Sequence, residues 1–197
     1  MKIIGLTGPI ASGKNEISKA LRRSGAWIID VDKVGHWISR PGTLVYRKIV
    51  KTFGKSVLAA NRHLNRNRLG KLVFGHPQAM KKLGSIMHGA MVKEVKKWVR
   101  RFQGPDARGQ KKVVVINAAV LHEMKLDRLC DEVWVVLASK KSRLQRLLKK
   151  GLSKKDALLR IRSQMSDKGY RKIADKIIVN DGGKVKLSAK IRAYFRL

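Results

Sequence analysis

The chain has 197 residues, a length that suits one well-buried core with a helical insertion and is short for two independent domains. Its one cysteine, Cys130, excludes an internal disulfide. The longest apolar stretch, VVVINAAVL at 113–121, is far shorter than the roughly 20 residues that a membrane-spanning helix needs. We therefore expect a protein of a reducing, cytoplasmic setting with no membrane partner.

The charge is the unusual feature, since 46 Lys and Arg residues against 13 Asp and Glu residues give a net +33. Two regions of helical pattern hold most of the excess. Residues 41–103 contain fifteen basic residues and one acid, and residues 140–172 contain thirteen basic residues and two acids. A field of this sign attracts polyanions, so nucleic acid, anionic membranes and phosphorylated small molecules are all candidate partners.

The spacing of apolar residues predicts strands that alternate with helices. In chain order these are a strand over 2–7, a helix over 15–25, a strand over 26–33 with a short helix to about 40, only helical spacing over 43–103, strands over 111–117 and 131–138, helices over 140–150 and 153–165, a strand over 176–180 and a closing helix from about 184. Gly84 and Gly89 are points where the long helical stretch before 103 would divide. The alternation indicates an α/β fold with a mostly parallel sheet.

The segment TGPIASGKNEIS at 7–18 has the spacing of a phosphate-binding loop, in which four residues separate Gly8 from Gly13 and Lys14. In such a P-loop the backbone N–H groups face the phosphates, the following helix adds its positive end, and the lysine pairs with the terminal phosphates. A predicted strand precedes the segment and a predicted helix follows it. This context favours nucleotide binding over the alternative, an ordinary strand-to-helix turn.

Asn15 stands where this motif has Ser or Thr, whose hydroxyl normally lies on Mg²⁺. An amide oxygen is also a hard neutral ligand, carried on a longer arm. Asn15 would therefore contact the Mg²⁺ ion directly or through a water molecule. Alternatively, phosphate oxygens and water would mainly hold the ion. A degenerate, non-catalytic loop is the alternative, and the presence of Lys14 argues against it.

Asp30 and Asp32 form the second candidate constellation, in the sequence IIDVD. Residues two apart on a strand share a face, so both carboxylates are expected to project the same way near the end of the second strand. Ligands of open α/β sheets bind outside those ends. We favour structural support for Asp30 and chemistry for Asp32, either toward an attacking hydroxyl or toward a metal through water; a helix N-cap is the alternative for Asp32.

Six segments resemble the dephospho-CoA kinase family, in order and with similar spacings over essentially the whole chain. The most specific are the P-loop with the D-x-D strand and the RIRSQM…ADKIIVNDG ending. The segments are IGLTGPIASGKNEIS, WIIDVDKVGH, LVFGHPQAMKKLGSIMHGAM, VVVINAAVLHEMKLDRLCDEVWVV, RLQRLLKKGLSKKDALLRIRSQM and KIADKIIVNDGG.

The resemblance implies ATP-dependent phosphorylation of the ribose 3′-hydroxyl of dephospho-CoA, with Mg²⁺, as the last step of coenzyme A synthesis. It also implies a P-loop kinase fold of the nucleoside-monophosphate-kinase type, an α/β fold with a five-stranded parallel sheet flanked by helices. On this basis residues 1–40 and 104–197 form the nucleotide-binding core with a lid at about 140–168, and residues 41–103 form a helical insertion that binds the CoA moiety.

The resemblance also assigns residues. Lys14 and Asp32 are the implied catalytic residues, with Asp32 as general base toward the 3′-hydroxyl, and Asp32, His88 and Glu123 lie on the substrate side. The implied ATP-binding residues are Gly8, Ile10, Ala11, Ser12, Gly13, Lys14, Asn15, Glu16, Arg146, Asn180 and Gly182. The implied lid contacts to the transferred phosphate are Arg143, Arg146, Lys149 and Lys150, and Asn15 is the candidate metal ligand.

The sequence departs from the family pattern at several of these positions. Lys149 and Lys150 stand in place of a lid arginine, which would remove bidentate phosphate pairing, so that Arg143 or Arg146 would serve instead. Gly89 replaces a proline after His88, and AAVLHE replaces a Pro-Leu-Leu-aromatic-Glu segment.

Two other functions stay open at this point. One is a basic nucleic-acid-binding protein on a degenerate P-loop scaffold, although no nucleic-acid motif or basic stripe with interleaved aromatics appears and no specific nucleic-acid partner is expected. The other is a different P-loop nucleoside or nucleotide kinase.

Overall fold

The computed structural model describes residues 1–103 and 113–181, so Gly182, the predicted closing helix and the first two residues of the predicted strand at 111–117 lie outside it. The chain forms two compact units. The first contains Met1–Asp30 together with the chain from Trp98 onward, and the second is Val31–Lys97.

The first unit is built on a five-stranded sheet in which every pair of neighbouring strands is parallel. The strand order is β2-β3-β1-β4-β5, which places the P-loop strand β1 in the centre. The predicted α/β fold with a five-stranded parallel sheet flanked by helices is confirmed. The strands are β1 Lys2–Thr7, β2 Trp27–Asp30, β3 Val113–Asn117, β4 Glu132–Leu137 and β5 Lys176–Val179, and the helices of this unit are α1 Lys14–Arg23, α6 Lys140–Leu148, α7 Lys154–Arg162 and α8 Asp167–Lys172.

The central strands are continuous apolar runs because both of their faces are covered. All five residues of β3 are buried. Ile4 and Leu6 of β1 share one core cluster with Ile17 and Leu21 of α1, at the helical spacing that the sequence shows. This packing fixes α1 on the sheet directly after the P-loop.

Aspartates complete the hydrogen-bond ladder where β4 and β5 begin. The Asp131 carboxylate accepts from the Ile3 N–H at 2.7 Å, while its own N–H donates to the Ile3 carbonyl at 2.8 Å. Asp175 contacts Val133 in the same two ways, at 2.7 and 2.9 Å. Each aspartate thus supplies one more paired residue to a strand end that would otherwise leave a donor unpaired.

The second unit is helical throughout its regular structure, with one isolated bridge between Leu58 and Leu64. Thr43 caps α3 by accepting from the Tyr46 N–H, and Asn65 caps α4 by accepting from the Arg68 N–H. The helices are α2 Val31–Ile38, α3 Leu44–Phe53, α4 Arg66–Val73 and α5 Pro77–Gln103, with a short 3₁₀ turn at Lys55–Val57. Helix α5 runs unbroken past Gly84 and Gly89, where the sequence suggested a division; an interior glycine costs a helix only about 1 kcal/mol.

The bounds of this unit, 31–97, differ from those of the predicted insertion at 41–103. Helix α2 belongs to it because Gly35 lies against the side chains of Met87 and Met91. The last turns of α5 belong to the first unit because the Phe102 ring packs on Trp27, with ring centroids 4.2 Å apart. The role of this unit in binding CoA stays a prediction.

The predicted strand over 26–33 was wrong in its second half. Strand β2 ends at Asp30 and α2 begins at Val31, so Asp32 lies in the first turn of a helix and does not share a strand face with Asp30. The reason is the helical spacing of Val31, Val34 and Ile38, all of which are buried. Burying this stripe outweighs continuation of the strand.

No helix in the described ranges has the length and apolar character needed to cross a bilayer.

Removing the strand-end acceptor should destabilise the sheet. We expect Asp175→Ala to lower the free energy of unfolding by about 1–2 kcal/mol, because the Val133 N–H loses its acceptor. Asp175→Asn is the matched control, since an amide oxygen still accepts, and its loss should be smaller. Urea unfolding of the three proteins measures this, and an Ala variant as stable as wild type would contradict it.

Candidate active site

The P-loop takes a shape that only glycine allows at both ends. Gly8 and Gly13 have positive φ angles of 139° and 104°. A Cβ at Gly8 would lie 2.1 Å from the Val136 carbonyl oxygen, and one at Gly13 would lie 2.0 Å from Asn180 Nδ2. Both distances are far below contact, so the two motif glycines are required by close approach as well as by backbone conformation.

Helix α1 starts at Lys14 with no side chain capping its first turn, since its N-cap residue is Gly13. Five other helices of the described chain are capped by a side-chain oxygen, from Thr43, Asn65, Ser139, Ser153 and Ser166. An uncapped helix start presents N–H groups and positive potential to an anion. The loop therefore fits a phosphate group.

Two residues from the second half of the chain hold the loop by its carbonyl groups. Arg146 donates to the carbonyls of Ala11 and Ser12 at 3.0 and 3.2 Å and to the carbonyl of Asn180 at 2.7 Å. The buried amide of Asn180 donates to the Ser12 carbonyl at 2.7 Å. We call Arg146 and Asn180 the loop clamp; they supply donors to the carbonyls of Ala11 and Ser12 and so fix the backbone of the loop.

The loop also rests on the helices that follow β4. Ile10 and Ala11 pack against an apolar cluster formed by Leu147, Ala157 and Ile161. The Ile10 N–H donates to Gln164 Oε1 at 2.6 Å. Sequence reasoning did not single out Gln164, although it lies within the RIRSQM segment that carried much of the resemblance.

The remaining predicted loop residues have clear positions. Lys14 Nζ donates to the Gly8 carbonyl at 2.8 Å, which keeps the ammonium group at the loop. Ser12 is fully buried, and its hydroxyl has no hydrogen-bond partner among the described residues. Glu16 pairs with Lys19 at 3.1 Å on the exposed surface of α1. Ser12 thus contributes to the shape of the loop through its backbone.

The predicted lid cations have separate environments. Arg143 is buried, with 5% of its surface exposed, and donates to Asp167 at 3.2 Å, whereas Arg146 is at the P-loop. Lys149 and Lys150 are exposed at the end of α6. Of the two arginines, Arg146 is therefore the one that contacts the P-loop.

Glu123 lies within electrostatic range of a buried tyrosine in the same unit. Burial raises the pKa of Tyr170 to about 12, and the charge of Glu123 acts in the same direction. The charge of Arg143 opposes them. Tyr170 is therefore protonated at neutral pH, and Glu123 stands beside the group formed by Arg143, Asp167 and Tyr170.

The family model described as dephospho-CoA kinase matches residues 2–186. The chain belongs to the dephospho-CoA kinase family. A dephospho-CoA kinase of Carboxydothermus hydrogenoformans is 38% identical over 183 residues, which cover 92% of this chain and 87% of that protein. One of Symbiobacterium thermophilum is 39% identical over 197 residues, covering 100% and 81%.

Solved structures show the same fold. The protein TT1252 of Thermus thermophilus matches with a TM-score of 0.77 at 26% identity, over 98% of this chain and 95% of its own. The dephospho-CoA kinase of Campylobacter jejuni matches with a TM-score of 0.61 at 22% identity, over 99% and 96%. A shikimate kinase of Acinetobacter baumannii matches at 0.54 and 14%, over 98% and 92%.

Asp32 and His88, which this family resemblance assigns to the substrate side, lie in the second unit. Asp32 is exposed in the first turn of α2 and lies near Arg66: burial lowers the pKa of Arg66, and the charge of Asp32 opposes that shift. Arg66 also donates to the buried hydroxyl of Ser39 at 3.1 Å. His88 is half-buried on α5, and Gly84 leaves space for its ring.

Two amides meet at the expected metal position, one directly after the P-loop lysine and one at the end of β3. Asn15 Oδ1 accepts a long hydrogen bond of 3.4 Å from the Nδ2 group of Asn117, the last residue of β3. Among the described residues, no group of three His, Cys, Asp or Glu side chains is placed to hold a metal ion. An Mg²⁺ held by a protein normally takes one or two carboxylates, and this pair of amides supplies none.

Replacing Gly13, which lies against Asn180 of the loop clamp, with alanine should destabilise the protein more than the same replacement at Gly25. Gly13→Ala and Gly25→Ala both place alanine at a positive φ, which costs about 1–2 kcal/mol, but a Cβ at Gly25 meets nothing within 4 Å. We expect Gly13→Ala to lose more stability than Gly25→Ala in urea unfolding. We also expect Gly13→Ala to bind nucleotide more weakly, while Gly25→Ala binds it as the wild type does. Equal losses in the two variants would contradict this role of Asn180.

Proposed function

We propose that this protein transfers the γ-phosphoryl group of ATP to the ribose 3′-hydroxyl of dephospho-CoA, giving coenzyme A and ADP. The observation that carries the proposal is the uncapped start of α1, which directly follows the glycine loop, in a chain of the dephospho-CoA kinase family. Arg146 and Asn180 hold that loop in shape. ATP and dephospho-CoA are then its small-molecule partners, and the cytoplasm is its proposed location.

In this proposal the P-loop stabilises the charge on the transferred phosphoryl group. The N–H groups at the start of α1 and the ammonium group of Lys14 would contact the phosphate oxygens, and closure of the proposed lid at about 140–168 would exclude water. Mg²⁺, when bound, would neutralise phosphate charge. Arg146 has three backbone acceptors, so it supports the loop and also adds its positive charge there.

Asp32 is the proposed general base. As the 3′-oxygen attacks the γ-phosphorus, the new O–P bond forms, the bond from that phosphorus to the β–γ bridging oxygen breaks, and the hydroxyl proton passes to the Asp32 carboxylate. Arg66 would serve as the charge partner that orients this carboxylate within the second unit. His88 and Glu123 are proposed contacts of the dephospho-CoA substrate.

The test is an assay with ATP and Mg²⁺ in which ADP and CoA are both detected by mass, with dephospho-CoA, AMP or no acceptor present. We expect CoA with dephospho-CoA and no phosphorylated product from AMP. Lys14→Ala is the control, and it should lose both nucleotide affinity and rate because the phosphates lose their cation. Phosphorylation of AMP alone would point to a different nucleotide kinase, and ATP binding without any product would refute the proposal.

Asn substitutions of Asp32 and Asp30 should have different effects on turnover. We expect Asp32→Asn to leave ATP affinity within about twofold of wild type and to lower kcat by about 10²–10⁴-fold, the usual contribution of a general base. Asp30→Asn removes the same charge two residues earlier and should mainly affect stability. Steady-state kinetics and thermal unfolding measure both, and unchanged turnover in Asp32→Asn would remove it from the base role.

A further inference from the structure

Asn15 and Asn117 meet at the edge of the sheet where the strands β1, β2 and β3 end. Asn117 closes β3, in register with Leu6 of β1 on one side and with Asp30 of β2 on the other. It is buried, with 5% of its surface exposed, and its amide Nδ2 donates to Asn15 Oδ1. Asn15 is the residue directly after the P-loop lysine.

These are the two positions from which a P-loop protein normally holds its divalent cation. The general arrangement uses the Ser or Thr hydroxyl after the lysine and an acidic residue on a nearby strand. Here a neutral amide stands at the first position, and the neighbouring strand ends in another neutral amide that binds it. The strand-end carboxylate at this edge is Asp30, which lies one strand farther from β1, or about 4.8 Å.

A neutral pair changes the electrostatics of the phosphate side. A carboxylate next to the phosphates repels them until a cation lies between, so nucleotide binding then depends on the metal. Asn15 and Asn117 bring no charge to this side, where the N–H groups of the uncapped helix start and Lys14 attract the phosphates in our proposal. The acid in the first turn of α1, Glu16, is paired with Lys19. The positions of Asn15 and Asn117 therefore add no repulsion that a cation would have to relieve before the nucleotide binds.

We propose that the Asn15–Asn117 pair gives this nucleotide site no protein ligand for the divalent cation, so that the cation is held by phosphate oxygens and water alone and the site also accepts metal-free nucleotide. Mg²⁺ suits such binding because it retains several of its waters when bound. The inference rests on the proposed function only in requiring that the P-loop bind ATP.

The first measurement uses Mn²⁺ as the probe and the non-hydrolysable ATP analogue adenylyl imidodiphosphate, with the full chain. Electron paramagnetic resonance gives the affinity of Mn²⁺ for the free analogue and for the protein–analogue complex. We expect the two dissociation constants to agree within about threefold, and calorimetry in EDTA should show the analogue binding within about threefold of its affinity with Mg²⁺.

The second measurement restores the missing charge. In Asn117→Asp, we expect Mn²⁺ to bind the protein–analogue complex at least about tenfold more tightly and the metal-free analogue to bind at least about tenfold more weakly. Ser24→Asp is the matched control, because it adds one negative charge at the opposite end of α1, about 15 Å along its axis. In Ser24→Asp we expect no change in the affinity for Mn²⁺ or in the affinity for the metal-free analogue. Asp30→Asn should also leave Mn²⁺ affinity unchanged.

Three results would overturn the inference: Mn²⁺ binding at least about tenfold tighter to the wild-type complex than to the free analogue, a tenfold loss in Asp30→Asn, or no change in a folded Asn117→Asp variant. If Asn117→Asp fails to fold, Asn15→Asp, at an exposed position, takes its place with the same expected shifts. A wild-type chain that binds the analogue neither with nor without metal would refute the proposed function as well, whereas tight metal binding would refute this inference alone.

Discussion

The supply of hydrogen-bond donors to the P-loop carbonyls is the constraint on which the site depends. A loop that turns its N–H groups toward an anion must place its carbonyls elsewhere, and buried carbonyls need donors. Arg146 and Asn180 supply those donors, from α6 and from the residue after β5. The phosphate site therefore exists only once the last strand has joined the sheet, although its motif lies in the first fifteen residues.

The few acids of this basic chain are largely committed to structure in the first unit. Asp131 and Asp175 extend strand pairing, and the Ser139 N–H lowers the pKa of Asp181 by donating to its carboxylate. Asp167 holds the buried Arg143. The 13 acids are too few to offset 46 Lys and Arg residues, so the net charge of +33 still gives the positive field that a multiply anionic substrate would experience at a distance.

The sequence predicted the sheet well because its strands are continuous apolar runs between turn residues. Strands β1, β4 and β5 start and end within one residue of expectation, and β3 ends where expected. The predicted strand over 26–33 was too long, because apolar residues at the start of a helix that follows a strand look like a continuation of that strand. Helix α8 was not predicted, since DKGYRK buries only Tyr170. The P-loop and Lys14 follow from a motif, but the contacts of Gln164 and Asn117 depend on tertiary packing that no local spacing encodes.

The neutral amides and the positive charge have a common physical consequence. A cation at a phosphate site serves partly to offset negative charge that the protein itself places there, and partly to neutralise the nucleotide. Asn15 and Asn117 add nothing to the first requirement, and the uncapped α1 and Lys14 supply part of the second. The identity of two side chains at a strand end and a helix start thus decides whether the metal is bound by the protein or only carried by the substrate.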